Sequence, residues 1–139
     1  AWDRGHSRGD DTVNDLFRLF RRRSDAPLVC EPRHTSWFSG AAEALLQRYG
    51  VGRVGADPAL VEDAGRPDAG SPWPYWRWHG SPRMYYSDYS DAALAQLATQ
   101  VAQQPGQAQA PWVIFDNTAH GFATANALRL QALLECADA

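Results

Sequence analysis

Four short apolar runs limit what this chain can become more than any other feature: Pro27 to Glu31, Arg53 to Ala56, Tyr75 to His79 and Trp112 to Phe115. Each is too short for a helix, and stretches of helical spacing or long loops separate them. Val13, Leu16, Phe17 and Phe20 fall at i, i+3, i+4 and i+7, with Thr12 placed as an N-cap and Arg21, Arg22 and Arg23 at the negative end of the dipole. Ser39 to Tyr49 carries Ala41, Ala42, Leu45, Leu46 and Tyr49 on one side, and Gly50 is the stop. Ser90 precedes a third helical pattern through Leu94, Leu97, Ala98 and Val101, and a last helix covers about Thr124 to Cys136. Residues 58–74, the Pro82 to Tyr89 stretch and the Gln103 to Ala110 connector lack periodicity and read as loops. Short strands alternating with helices imply parallel strands joined by right-handed crossovers, an α/β chain.

Every predicted strand ends in side chains capable of chemistry. The first gives Glu31, Arg33 and His34, the second Asp57, the third Arg77 and His79, the fourth Asp116 and Asn117. In a parallel α/β sheet these ends share one face, where ligands bind. Strand alternation puts Tyr75, Arg77 and His79 on one side and Trp76 and Trp78 under the helices. By the same rule Glu31 pairs with Arg33, and Asp57 sits above Gly55. Asp116 and Asn117 point to opposite sides, and Asn117, in phase with Val113 and Phe115, is taken as the inward one.

Composition narrows the function. A chain of 139 residues fits one domain, and a net charge of -3 argues against an electrostatically driven nucleic-acid binder. No apolar run approaches the ~20 residues a spanning helix needs. Asp10, Asp11, Asn14 and Asp15 interrupt any signal-like segment, and residues 1–11 read as a flexible tail. There is no Lys, so Schiff-base and lysine-base mechanisms are excluded. Cys30 and Cys136 show no metal or disulfide spacing and suit reduced thiols in a cytoplasmic protein.

Five ordered motifs carry a family resemblance: Glu31-Pro-Arg-His-Thr-Ser-Trp37, Ala56-Asp57-Pro, Arg77-Trp-His79-Gly80, Tyr86-Ser-Asp-Tyr89-Ser and Phe115-Asp-Asn117-Thr-x-x-Gly121-x-Ala-x-x-Asn126-Ala. From about Ser24 to about Leu134 the chain resembles the YecE-like family, domain of unknown function seventy-two. The resemblance implies a TIM-like (β/α) barrel and no firmly established activity. A TIM barrel runs to ~250 residues, so residues 12–139 resemble only its second half, about four strands with flanking helices. Half a barrel exposes two strand edges. The chain is then a fragment, pairs with a second copy, or meets its missing N-terminal half on another polypeptide; the fragment reading fits the motifs best.

Three functional readings follow. The first is an enzyme acting on a small polar, anionic or phosphate-bearing molecule, with Glu31, His34, Asp57 and His79 as acid–base groups and Arg33, Arg77, Tyr86 and Asn117 binding the ligand. Against it stands a buried ion-pair network that merely fills the barrel mouth. A metal variant draws on Glu31, His34, Asp57, His79 and Asp116, but no close ligand spacing supports it, and no cofactor is expected. The second reading is a non-enzymatic module in which Trp73 to Trp78, Tyr85 to Tyr89 and Arg66, Arg77 and Arg83 hold nucleic acid or a phosphorylated ligand; core packing of those aromatics is preferred. The third is an inactive, truncated barrel.

Overall fold

The computed structural model describes residues 8–68, 70–104 and 110–137. Their elements run in the order α1 (Arg8–Arg21), β1 (Leu28–Cys30), α2 (Gly40–Arg48), β2 (Val51–Arg53), β3 (Gly55–Asp57), β4 (Tyr75–Trp78), α3 (Asp91–Ala102), β5 (Trp112–Phe115) and α4 (Phe122–Ala137). Short 3₁₀ helices occupy Thr35–Phe38 and Glu62–Gly65. All described strand pairs are parallel.

The second predicted strand is longer than its apolar run suggests, and it is divided. Residues 51–53 pair with β1, and residues 55–57 pair with β4, which in turn pairs with β5. Val54 between them still donates its N–H to Cys30 O at 2.9 Å. The 66–71 loop intervenes on the far side of β2, where Asp68 Oδ1 takes the Arg53 N–H at 2.8 Å. A side chain therefore fills the place of a ladder bond, and the sheet divides into two- and three-stranded parts.

Each part has its own helices. Phe17 of α1 and Leu46 of α2 close over Val51, Leu28 and Cys30. Trp76, Trp78 and Phe115 pack beneath Leu94, Leu97 and Val101 of α3 and Leu130 of α4. The tryptophans are thus core side chains, as alternation along the third strand requires, and present no face for stacking bases. On the opposite side of the sheet, Trp73, Tyr75 and Trp112 form an aromatic group, and Trp112 is 52 % exposed. Among the described residues β1 pairs only with β2, and β5 only with β4.

Helix ends follow sequence chemistry with two corrections. Ser39 caps α2 and Ser90 caps α3 through their side chains, and Gly50 takes the left-handed φ of +58° beyond α2. The first helix begins at Arg8, so residues 8–11 belong to α1 rather than to a tail and Thr12 lies inside the helix, not at its cap; apolar periodicity marks the packed part of a helix, not its first turn. Residues 1–7 of the expected tail and residues 105–109 of the connector lie outside the described residues. The last helix starts at Phe122, two residues before the expected start. Arg21 does more than complement its own dipole: it donates to Tyr49 O at 2.7 Å, Ala26 O at 2.7 Å and Gly50 O at 2.9 Å, closing the end of α2.

Tyr89 fastens the loop after β4 to the sheet. Its hydroxyl donates to Asp57 Oδ2 at 2.7 Å and accepts from Gly80 N at 2.8 Å, while its ring lies 4.4 Å from that of Trp78. Burial, and then Asp57, push the Tyr89 pKa well above its ordinary value. The unfolded chain loses this proton near pH ~10 whereas the folded chain keeps it, so the stability present in full below that pH is lost progressively as pH rises above it. Tyr89→Phe should cost about 1–2 kcal/mol at neutral pH. Urea denaturation should show a steeper alkaline loss for the unmodified protein than for the variant; equal alkaline slopes would contradict this account.

Candidate functional site

The third strand sets the site. Arg77 on β4 points away from the helices, and one further rung, His79 N to Asp57 O at 2.8 Å, carries His79 to the rim on the same side. Gly80 follows with φ +98°. A Cβ there would lie 3.2 Å from Arg83 O, Asn117 Cβ and Ser87 O, so the chain turns this tightly only with glycine. Glu31 directly follows β1, and Asp116 follows β5, its N–H donating to Trp78 O at 2.8 Å. Three strands that are not all neighbours thus deliver Glu31, Arg77, His79 and Asp116 to one place.

The geometry is a dense charge network. Arg77 Nη1 donates to Glu31 Oε2 at 2.9 Å, and its Nη2 donates to Asp116 Oδ2. Arg33 Nη2 lies 2.9 Å from Glu31 Oε1. His79 Nε2 also lies 2.8 Å from Glu31 Oε1, so Nε2 carries the proton that a carboxylate can only accept. With Nε2–H committed, the 3.4 Å approach of Arg33 Nη2 to that nitrogen is a contact rather than a hydrogen bond. His79 Nδ1 stands 3.0 Å from Asp116 Oδ2 but out of line for hydrogen bonding, and it is otherwise without a partner. Burial works against the Arg77 cation, yet Asp116 and Glu31 together more than offset it and raise its pKa. Burial, and then the adjacent Glu31, also push the Cys30 thiol up, which disfavours the thiolate.

Exposure is graded across the network. His79 is 1 % exposed, Glu31 10 %, Asp116 23 %, Arg77 36 % and Arg33 52 %. Tyr85, held at φ +69° with its N–H on His79 O, sets its ring edge-on to the imidazole at 5.9 Å.

Four of the eight expected site residues meet here: Glu31, Arg33, Arg77 and His79. The other four do not. Asp57 is in register with Trp78 and lies on the helix side, bound to Tyr89. Its strand is buried on both faces, from Val51 to Ala56, so no apolar alternation reveals which way it points. Asn117 is likewise on the helix side, because Val113 and Phe115 align with Trp76 and Trp78. It is fully buried, donating to Asn126 Oδ1 at 2.7 Å and Ser87 O at 3.0 Å, while Asn126 donates to Asp88 at 2.8 Å. Both amides therefore staple the 80–89 loop to α4. His34 accepts Ser36 N–H on Nδ1 at 3.2 Å and caps the Thr35–Phe38 turn. Tyr86 packs on His120, 5.6 Å between rings, with the Arg83 guanidinium 4.1 Å above it.

Asp116 takes the place assigned to Asn117. Its signal lay in the register: β4 alternates clearly, and aligning Trp112 with Tyr75 puts Ile114 and Asp116 on the side of Arg77 and His79. Among the described residues, no group of three or more His, Cys, Asp or Glu is arranged to hold a metal ion, and His34 and Asp57 are turned away from the others.

Comparison with known proteins adds the fold. The model of the family described as "Protein of unknown function DUF72" matches residues 6–139. A DUF72 protein of Thermotoga maritima is similar at 22 % identity and a TM-score of 0.73, over 97 % of this chain and 55 % of that one. Two structures of an Enterococcus faecalis DUF72 protein align at 21 % and 19 % identity, with TM-scores of 0.71 and 0.67. They are covered over 57 % and 56 % of their length, and this chain over 96 % and 97 % of its own. The chain thus spans just over half the length of these solved proteins, and the likeness is to part of a TIM-like (β/α) barrel. No curated protein matches it. No helix among the described residues is long and apolar enough to cross a membrane.

Removing Arg77 should leave Asp116 without its cation and Glu31 with only Arg33 and the His79 N–H. Because Arg77 is one-third exposed, Arg77→Met should cost about 1–2 kcal/mol, below the ~3–5 of a fully buried pair. Arg33→Met, half exposed, should cost at most about 0.5 kcal/mol. Chemical denaturation of both variants checks the ordering, which a reversed result would refute.

Proposed function

The chain belongs to the DUF72 family of proteins of unknown function, and from that premise we propose an enzyme reading: the rim binds a small anionic or phosphate-bearing molecule and moves a proton on it. The observation that carries this reading is the exposure gradient. A network serving packing alone has no need to place its imidazole innermost and its guanidiniums outermost. Here the groups suited to ligand capture, Arg33 and Arg77, face solvent, and the buried end holds a histidine with one nitrogen lacking a partner.

Each residue has a role that follows from its place. Arg77 turns its fork across two carboxylates, and Arg33, half exposed and with one ion-pair partner among the described residues, swings onto a phosphate or carboxylate. Asp116 is the more open of the two carboxylates and touches the ligand as general base. His79, too buried to touch substrate, is a positioning residue: Glu31 fixes its tautomer through Nε2–H, and its Nδ1 stands 3.0 Å from Asp116 Oδ2 behind the base. This activity is proposed for the whole barrel, of which the chain spans just over half the length of its solved relatives. The missing half would come from a longer chain, a second copy or another polypeptide. Free thiols at Cys30 and Cys136 suit the cytoplasm. The nucleic-acid reading has less to stand on, since Trp76, Trp78 and Tyr89 are core.

A turnover screen over phosphate esters and small carboxylates, with proton NMR of the imidazoles during phosphate titration, tests the proposal. Asp116→Asn should lower turnover about 10²–10⁴-fold, Arg77→Ala should raise KM, and phosphate should shift the His79 ring signals. Activity that survives both Arg77→Ala and His79→Ala rejects the site.

A further inference from the structure

A second cleft, of about 670 Å³, lies on the other side of the sheet, between α2 and the loop that follows β3. Arg53 leaves β2 on the side of Cys30 and Val51, away from Arg77, and reaches this cleft with its side chain only 9 % exposed. Its guanidinium carbon sits 5.0 Å from the Phe38 ring centre. A guanidinium offers five N–H donors, yet among the described residues this one makes a single marginal bond, Nη2 to Asp63 O at 3.4 Å. Nε is buried with no acceptor, and the only carboxylate oxygen within 4.0 Å of the guanidinium among the described residues is Glu43 Oε1, at that limit from Nη1. A buried cation with an orphaned N–H is costly and calls for an explanation, and its remaining donors line a cleft where a ligand can supply acceptors.

The surrounding charges say what that something is. Arg66, which is exposed, lines the cleft with Arg53, as do Glu43, Glu62, Asp63 and Asp68. Asp68 already accepts the Arg53 backbone N–H. A bare anion would satisfy Arg53 but meet an excess of carboxylates, whereas a bare cation would leave Arg53 unmet. Only a ligand with both charges close together answers both demands. We infer that the cleft binds a free amino acid, its carboxylate on Arg53 and Arg66 and its ammonium against Glu43, Glu62 and Asp63. The 4.0 Å gap between Nη1 and Glu43 is where the two ligand charges part. The site is independent of the rim, on the opposite face of the sheet.

Calorimetric titration of the chain with L-alanine, L-lysine, acetate and methylammonium tests this. Saturable binding of both amino acids is expected, with L-lysine tighter and each half-ligand at least about tenfold weaker. Glu43→Gln and Arg66→Gln change exposed side chains and should each weaken L-alanine about tenfold without altering the circular dichroism. Arg53→Met should abolish binding, and His79→Ala should leave it unchanged. Lack of saturable binding by either amino acid, acetate binding as tight as L-alanine, or full affinity in both surface variants would overturn the inference.

Discussion

One guanidinium holds the two parts of the sheet in register at their functional end. Arg77 reaches from β4 to Glu31 beyond β1 and to Asp116 beyond β5, across a sheet whose ladder is interrupted between β2 and β4. At the junction the backbone keeps only the Val54 N–H to Cys30 O bond, because the Asp68 side chain has taken the Arg53 N–H. The bridge works because its ends are unequal in solvation. Glu31 is nearly buried and needs a permanent cation, whereas Asp116 is more open and can exchange partners.

His79 depends on that bridge and on the scaffold beneath it. A fully buried imidazole requires its polar atoms to be accounted for, and Glu31 provides for Nε2 only because Arg77 and Arg33 hold that carboxylate in place. From below, His79 N–H is taken by Asp57, whose side chain binds Tyr89, whose hydroxyl in turn receives the Gly80 N–H. Asp57 therefore shapes the site without belonging to it. Asn117 and Asn126 do the same for the loop that brings Tyr85 against the imidazole. Residues that sequence reading took for chemistry are, in these cases, the frame around it.

The legibility of the chain follows the same division. Strand positions and helix caps were readable because apolar runs and Ser39, Ser90 and Gly50 act locally. The face of β4 was readable because tryptophans alternate with tyrosine, arginine and histidine along it. Asp57 and Asn117 were misplaced because β3 is buried on both faces and β5 is apolar throughout, so period-two alternation carries no sign there. Their orientation is fixed by register against β4, a long-range property. His34 differs for another reason: its ring nitrogen caps the four-residue Thr35–Phe38 turn, and a capping histidine looks no different in sequence from a catalytic one. The divided β2–β3 segment was hidden because its cause, Asp68, lies in a loop with no periodic signal.

The absence of lysine is of a piece with this architecture. Where the fold asks for a cation, it asks for a fork: Arg77 spans two carboxylates, and Arg21 spans three carbonyls from two segments. An ammonium, a compact point charge with three donors on one atom, could meet one of the Arg77 partners but not both at their separation. The rim therefore owes its shape to planarity as much as to charge. Planarity also explains how two acidic groups coexist beside a buried histidine: each is matched to a separate edge of one rigid group, and neither depends on the other to stay in place.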